Sequence, residues 1–260
     1  MSESAAADCR RLAIGIEYDG TSYNGWQMQP HAPSIQQSLN DAISVVADEG
    51  VECVGAGRTD TGVHAAGQVA HFDTRAERSD RSWLLGINSN LPADINVCWA
   101  RHVPDDFHAR FSARSRSYRY VILNRPVRSA LERHRSWWVR KPLDDQQMQE
   151  AAGLLVGEHD FSSFRAAACQ ANSPVRTISE LKVWRDGDHV YTDCTANAFL
   201  QHMVRNLVGS LMKVGCGEET LDWLAGVLAA RDRKVSGITA PAAGLTLTKV
   251  GYPDFALPQL

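Results

Sequence analysis

Residues 57–65 have the sequence GRTDTGVHA, in which glycines flank one arginine and one carboxylate, Arg58 and Asp60. Glycine permits tight bends, so short side chains in such a loop can be aimed at a ligand. The segments on either side, 51–56 and 66–73, each predict a short strand. An aspartate beside an arginine at a strand-to-loop junction can remain ionised and act as a nucleophile or a base. A turn with a surface ion pair is the alternative, although the nine-residue string is much less common than its parts.

The rest of the chain divides into two similar halves. Its 260 residues, 44% of them hydrophobic, suit one large domain or two modest domains with a core. The sequence from Ser34 to Gln37 is that of a capping box, and the apolar residues after it fall on one helical face. The predicted strands cover 12–18, 51–56, 66–73, 95–101, 116–123, 177–185, 189–196 and 245–251. The predicted helices follow Ser34 and cover 81–88, 144–155, 198–214 and 221–231.

Each half therefore has the element order β-α-β-β-α-β, with an extra helix in the second half. This is the split β-α-β unit of ferredoxin-like folds, so the predicted class is α+β. We expect a disordered tail over residues 1–9, a first half over 10–108 that carries the Asp60 loop, and a second half over 109–260. The repeat is one of pattern only, because the halves share no convincing residue identity.

Composition excludes several classes of protein. No apolar run is long enough to span a membrane, and the polar N-terminus lacks a signal peptide, so a cytoplasmic protein is expected. The cysteines have no Cys-x-x-Cys spacing and none lies beside a histidine in a metal-ligand pattern, so neither a metal nor a cofactor is expected. They are predicted to be small buried hydrophobes in a reducing compartment. Their positions are 9, 53, 98, 169, 194 and 216.

Charge is distributed unevenly along the chain. The formal net charge is −3, but residues 101–141 contain ten Arg and one Lys against three acids, a net charge of +8. We call these residues the basic stretch. Six aromatic residues lie within it, and a basic surface with interleaved aromatics is typical of proteins that bind phosphates and stack on unpaired bases. A solvated charged face without a ligand is the alternative.

The GRTDTGVHA string resembles the signature of the TruA-type tRNA pseudouridine synthases, which is usually GRTDAGVH; this chain has Thr61 where the family has Ala. Further matches occur in family order along nearly the whole chain, and their joint occurrence is specific. They are GIEYDG at 15–20, YNGWQ at 23–27, NLP at 90–92, FHARF at 107–111, RSYRY at 116–120, DFSSF at 160–164, HMVRN at 202–206 and GL at 244–245. The chain departs from the pattern at Met28, where a basic residue is frequent, and at Thr246, where an aromatic residue is common.

The resemblance implies a fold and an activity. The two sheets would join side by side into a pseudouridine synthase fold with a central cleft, in a homodimer. The reaction would isomerise uridine to pseudouridine at positions 38, 39 and 40 of the tRNA anticodon stem-loop. It breaks the N1–C1′ bond, turns the uracil and rejoins it through C5, which requires an ionised carboxylate but no redox change, metal or cofactor.

The resemblance also implies roles for individual residues. Asp60 would be the catalytic carboxylate, and Tyr118 would stack on the target uracil beside an apolar wall formed by Leu245. The alternatives are a core or surface tyrosine and an ordinary core leucine. Arg205 would pair with Asp60. The helix around Arg205 is apolar on much of its girth, so a half-buried guanidinium there requires a carboxylate partner, and Asp193 is the alternative to Asp60.

RNA contacts form the second set of implied roles. Arg58 would enter the RNA and hold the space left by the target uridine, because a uridine in a stem must be flipped out. Arg78 and the segment 107–111 would contact tRNA. His108 and Arg110 suit phosphates, whereas the two phenylalanines of the segment are equally suited to a core. The implied residues of this segment are Phe107, His108, Ala109, Arg110 and Phe111.

Two other functions fit parts of the sequence. The triplet Asp60-Thr61-Gly62 also occurs in aspartic proteases, which need a second aspartate to share a proton. The chain has no second Asp-Thr-Gly or Asp-Ser-Gly, and Arg58 would disturb the shared proton. A non-catalytic RNA-binding module would account for the basic stretch but not for the glycine-framed Arg58 and Asp60.

Overall fold

The computed structural model describes residues 9–258. The tail predicted over residues 1–9 lies outside this range except for Cys9, which is exposed and belongs to no helix or strand. The strands are β1 (Arg10–Tyr18), β2 (Val54–Gly55), β3 (His64–Thr74), β4 (Ile95–His102), β5 (Ser115–Asn124), β6 (Trp137–Val139), β7 (Gly157–Asp160), β8 (Val175–Asp186), β9 (His189–Ala196) and β10 (Leu245–Gly251). The helices are α1 (Ile35–Ala47), α2 (Asp80–Asn90), α3 (Asp145–Gly153), α4 (Met203–Gly215) and α5 (Leu221–Ala230).

The chain forms two compact units. The first unit contains the residues up to Arg114 together with those from Lys249 onward. The second unit extends from Ser115 to Thr248. This division differs from the expected boundary between residues 108 and 109. The physical reason is a pair of hydrogen bonds on Ala109, whose backbone N–H donates to His71 Nδ1 (3.2 Å) and whose carbonyl accepts from the Tyr252 hydroxyl (2.5 Å).

The first unit has the predicted β-α-β-β-α-β order. Its strands lie in the order β4-β1-β3, all antiparallel, and β2 pairs with β3. Helix α1 begins after Ser34, whose hydroxyl accepts from the Gln37 backbone N–H (3.3 Å), which confirms the predicted N-cap. The helix buries Ile35, Leu39 and Ile43, the apolar face that its sequence predicts.

The second unit contains the same order with additions. Its strands lie in the order β10-β5-β9-β8-β7, and the β5–β9, β8–β9 and β7–β8 pairs are antiparallel. The hairpin predicted between β8 and β9 is confirmed, with Gly187 at φ 55° in its turn. Strands β6 and β7 were not predicted, because three or four residues are too few to establish a period of two.

Helix α4 begins five residues later than predicted, at Met203 instead of residue 198. The residue before it, His202, has a φ of 62°. A right-handed helix cannot pass through this left-handed conformation. The residues before His202 therefore match the apolar pattern of the helix but do not belong to it. Among the described residues, no helix is long and apolar enough to cross a membrane.

Candidate active site

The loop that carries Asp60 lies in the first unit and is bonded to the segment 23–26. The Trp26 backbone N–H donates to the Thr59 carbonyl (3.1 Å), and the Gly62 N–H donates to the Tyr23 carbonyl (3.3 Å). A bond from the Val63 N–H to the Asp60 carbonyl (3.1 Å) closes a turn between them. Backbone bonds therefore hold the loop on both sides of the Asp60 side chain.

Glycines allow this close packing. Gly25 has a φ of 92°, and a Cβ built on it would lie 2.5 Å from the Thr59 carbonyl oxygen. A Cβ on Gly20 would lie 2.0 Å from the Val63 carbonyl oxygen. Gly62 within the turn has a φ of 76°. Because only glycine meets these limits without strain, the matches at residues 15–20 and 23–27 build the support of the Asp60 loop.

A buried pair of hydroxyl groups also holds the Asp60 loop in place. Thr59 is buried, and its Oγ1 lies 2.8 Å from the Tyr18 hydroxyl. Burial raises the pKa of Tyr18 to about 12, so the hydroxyl stays protonated. The neighbours of Thr59 are more accessible, since Arg58 is exposed and Asp60 is half-buried. Exposure therefore alternates along this loop.

The segment 107–111 divides into buried and exposed side chains. Phe107 is fully buried against the rings of Tyr252 (5.2 Å) and Phe255 (5.0 Å), and Ala109 is fully buried as well. Their side chains therefore support the segment and do not form an RNA-contacting surface, which revises the expectation for these two residues. Phe111 is 71% exposed.

The exposed part of this segment combines an aromatic ring with a cation. The His108 and Phe111 rings lie 4.3 Å apart, and the Arg110 guanidinium lies 5.7 Å from the Phe111 ring centre. His108 Nδ1 accepts from the backbone N–H groups of Arg110 (3.1 Å) and Phe111 (3.2 Å), which fixes the segment in this shape. Arg78, the other residue expected to contact RNA, is exposed just before the N-cap of α2.

Neutral His71 lies beneath the surface and supports the segment 107–111. His71 is buried, its ring lies 4.7 Å from that of His108, and its Nδ1 accepts from the Ala109 N–H (3.2 Å). Burial, with the nearby His108 and Arg11, lowers the pKa of His71 from its ordinary 6.5 to about 4. Between pH 6.5 and pH 4, His71 is therefore protonated in the unfolded chain but neutral in the folded chain.

We expect the stability contributed by His71 to be complete above pH 6.5 and to be lost as the pH falls toward 4. Between pH 7.5 and pH 5.0 the loss is about 2 kcal/mol. His71→Asn keeps an acceptor near the position of Nδ1 but does not titrate. Urea unfolding at both pH values checks the expectation: the wild type should lose about 2 kcal/mol more than the variant, and equal losses would contradict it.

Arg205 lies in the first turn of α4 in the second unit, where it is half-buried as predicted. Its Nε donates to the Ala240 carbonyl (2.7 Å), and the Ala240 N–H donates to the Arg205 carbonyl (3.1 Å). Asp193, the alternative partner, accepts hydrogen bonds from Arg119 Nε (2.7 Å), Arg119 Nη2 (2.9 Å) and Trp184 Nε1 (3.1 Å). The pairing of Arg205 with Asp60 stays a prediction.

Tyr118 and Leu245 also lie in the second unit. Tyr118 is half-buried in β5, and its ring meets Phe199 edge to face at 5.1 Å. The buried tyrosine of this strand is instead Tyr120, whose hydroxyl donates to the Pro241 carbonyl (2.7 Å). Leu245 is 5% exposed and begins β10. The roles of Tyr118 and Leu245 toward a uracil stay predictions.

The basic stretch is less basic in the folded chain than its sequence indicates. At least five of its eleven cations, all within the part of the chain that the structure describes, are ion-paired with acids from outside the stretch, so its net charge of +8 is not a free surface charge. The pairs are Arg101–Asp80 (2.9 Å), Arg114–Asp254 (3.4 Å), Arg119–Asp193 (2.7 Å), Arg125–Asp188 (3.7 Å) and Lys141–Glu218 (3.3 Å). Two of its six aromatic residues, Phe107 and Tyr120, are fully buried and cannot stack on bases.

Sequence reasoning missed the residues that support the site. The Tyr18–Thr59 hydroxyl pair and the steric role of Gly25 produce no pattern of their own, although both lie in or beside the family-like motifs. Asn206, buried next to Arg205, was also missed. Within residues 9–258, no three His, Cys, Asp or Glu side chains are grouped so as to hold a metal ion.

Comparison with known proteins assigns the chain to a family. The family model described as tRNA pseudouridine synthase matches residues 14–112 and 151–253, which include Asp60, Arg205 and Leu245. Among solved structures, a chain of a "Cbf5-Nop10-Gar1 Complex" has a TM-score of 0.39 at 12% identity, covering 93% of this chain and 50% of that one. That likeness is too weak to add to the assignment.

Sequence relatives are much closer. The tRNA pseudouridine synthase A of Hydrogenovibrio crunogenus is 54% identical over 250 residues, which cover 96% of this chain and 95% of the relative. The proteins of the same name from Klebsiella pneumoniae (51% identical, covering 100% and 97%) and Pseudomonas aeruginosa (52% identical, covering 99% and 91%) also match over nearly their full lengths. The chain belongs to the tRNA pseudouridine synthase family and is an isomerase that converts uridine to pseudouridine in tRNA.

Proposed function

We propose that the chain isomerises uridines 38, 39 and 40 of the tRNA anticodon stem-loop, with Asp60 as the catalytic carboxylate. The observation that carries the proposal is the Asp60 loop, a half-buried carboxylate on a backbone bonded to Tyr23 and Trp26. A carboxylate held in place before the substrate arrives loses little entropy in reaching the reacting atom. The homodimer implied by the resemblance and the cytoplasmic location expected from the composition belong to the same proposal.

The other site residues have distinct proposed tasks. Tyr118 stacks on the uracil, Leu245 forms the apolar wall beside it, and Arg205 binds at the same uridine. Arg58 occupies the space that the flipped nucleotide leaves. The half-buried position of Tyr118 suits stacking, since one ring face can meet a base while the edge contact with Phe199 orients the ring. No cofactor takes part in the proposed reaction, because breaking N1–C1′ and forming C5–C1′ leaves the oxidation state unchanged.

Tritium release tests this proposal. Because the new bond forms at C5, tritium placed on C5 of uridine passes to water at each turnover. Transcripts labelled at every uridine, with uridine at only one of positions 38, 39 and 40, should each release one equivalent, and an equally labelled transcript with cytidine at all three positions should release none. Release from the cytidine transcript would show that the enzyme acts at a different uridine. No release from any transcript would refute the proposed isomerisation.

Arg58→Ala should reduce the single-turnover rate on a paired target uridine by roughly 100-fold, because flipping costs a few kcal/mol without an intruding side chain. The exposure of Arg58 beside the half-buried Asp60 supports this expectation. The rate should recover at least in part on a stem-loop whose target uridine is already unpaired. Arg81→Ala, which removes an exposed arginine of α2, is the control. Equal losses on paired and unpaired targets would argue against an intruding arginine.

Arg110→Ala should weaken the binding of different tRNAs alike and reduce the salt dependence of affinity by about one phosphate contact. That is a change of roughly 0.7 to 0.9 in the slope of log K against log salt. Arg101→Ala is the control, because Arg101 lies outside the segment 107–111 proposed to contact tRNA and is paired with Asp80 at 2.9 Å, so it should change the slope less. Filter binding across a salt series measures both. A changed preference among tRNAs at constant slope would make Arg110 a base reader instead.

A further inference from the structure

Residues 237–240 lie along the first two turns of α4 and meet its residues in reverse order. We call these four residues the clamp segment. Ala240 exchanges two hydrogen bonds with Arg205, through the Ala240 carbonyl and N–H. Thr239 Oγ1 donates to Asn206 Oδ1 (2.7 Å). The Gly237 N–H donates to Ser210 Oγ (3.0 Å), one turn further along.

The clamp segment lies unusually close to the helix. A Cβ on Gly209 would be 1.8 Å from the Ile238 carbonyl oxygen, and a Cβ on Gly237 would be 2.7 Å from the Gly209 carbonyl oxygen. Asn206 and Ser210 are fully buried, and the Asn206 side-chain nitrogen donates to the Phe164 carbonyl (2.7 Å). Buried polar groups that are all satisfied allow one arrangement only, so the segment has a defined position on α4.

Arg233 fastens the clamp segment to the helix. Its Nη2 donates to Asn206 Oδ1 (3.1 Å) and to Thr239 Oγ1 (2.9 Å), one acceptor on the helix and one on the segment. Its Nη1 donates to the Gly237 carbonyl (3.0 Å) and to Ser236 Oγ (2.8 Å). All of these acceptors are neutral. A planar guanidinium suits this role because its donors have fixed directions.

We infer that Arg233 is a positioning residue for Arg205. The residues bridged by Arg233, Asn206 and Thr239, are the chain neighbours of Arg205 and Ala240. Arg233 thereby fixes the distance between the Arg205 backbone and the carbonyl that receives Arg205 Nε. That bond sets the direction in which the Arg205 guanidinium points. The inference rests on the proposed function of Arg205 at the target uridine.

A mutant cycle on the release of tritium from tRNA separates positioning from general stability. Arg233→Ala should lower the single-turnover rate constant roughly 10- to 100-fold, the scale of a small misplacement of a reacting group, with tRNA affinity within about twofold of wild type. In an Arg205→Ala background the same substitution should change the rate less than about twofold, because residues that act as a unit are not additive. Lys234→Ala, which removes an exposed cation one residue away, should have no effect.

The alternatives give different results. Independent losses that multiply in the double variant, or a loss of affinity with an unchanged rate, would overturn the inference. If Arg233→Ala fails to fold in a thermal melt, Thr239→Val removes one bridged acceptor with little change of shape and the same cycle is run with it. The assay uses tRNA labelled at every uridine, so it stays informative if the target lies outside positions 38–40. Mapping the product site in the wild type tests the proposed function separately.

Discussion

Asp60→Asn should reduce isomerisation by roughly 10⁴-fold or more while tRNA binding and folding persist. The amide is nearly isosteric with the carboxylate but carries no charge and is a poor nucleophile and base. The loop should keep its shape, since its bonds to Tyr23 and Trp26 use backbone atoms. Tritium release under single turnover measures the chemistry, filter binding measures the affinity, and a thermal melt measures the fold.

Asp41→Asn is the matched control for this prediction. Asp41 is an exposed carboxylate of α1 in the same unit and should be replaceable without loss of rate. A rate for Asp60→Asn within about tenfold of wild type would remove Asp60 from the chemistry. Deamidation of the introduced amide back to a carboxylate would produce a small residual rate, which Asp60→Ala distinguishes because alanine cannot revert.

Helices and strands could be predicted from the sequence where a single local interaction determines where they begin or end. The Ser34 hydroxyl satisfies a backbone N–H that no helical partner reaches, so the start of α1 could be derived from four residues. The β8–β9 hairpin was equally predictable, since Asp186, Gly187 and Asp188 favour a turn between two alternating segments. The start of α4 was not, because the left-handed φ of His202 interrupts the helical path while the apolar pattern of the sequence continues across it.

Charge and exposure were less predictable than helices and strands. A sum over residues 101–141 counts only neighbours along the chain, whereas the acids that pair with this stretch come from positions 80, 188, 193, 218 and 254. The same limit applies to Phe107 and Phe111. Both flank the same short motif, yet one is fully buried and the other is 71% exposed. Tyr252 and Phe255, which are distant along the chain, pack on Phe107 and bury it.

At the candidate site, too, some residues could be predicted from the sequence and others could not. The family-like string identified Asp60 and Arg58, but the residues that hold Asp60 in place act through shape. Two glycines, Gly57 and Gly62, flank the pair in sequence, and the string alone does not distinguish them. Gly62 requires its glycine because φ is 76°. A Cβ on Gly57 would meet nothing within 4 Å, and its φ lies outside the left-handed region. Outside the string, Gly20 and Gly25 both leave no room for a Cβ, and Gly25 also has a φ of 92°.

Gly25→Ala should be among the most damaging single substitutions outside Asp60. At a φ of 92° an alanine is strained by about 1–2 kcal/mol, and its Cβ would lie 2.5 Å from the Thr59 carbonyl oxygen and 3.1 Å from the Asp60 carbonyl carbon. The backbone that carries Asp60 must move away. A displacement of about 1 Å at a reacting group can cost roughly 100-fold in rate, so we expect a loss of that size together with a lower melting temperature.

Gly57→Ala makes the comparison decisive, because it adds the same methyl group to the same loop where space is open. Its rate and melting temperature should stay close to those of the wild type. Single-turnover tritium release and thermal melts on the two variants give four values, and the prediction requires the losses in only the Gly25 variant. If Gly57→Ala lost as much activity as Gly25→Ala, the glycines would act through loop flexibility or contact with RNA, and the close approach of Gly25 to Thr59 would not be the reason that the Asp60 loop needs it.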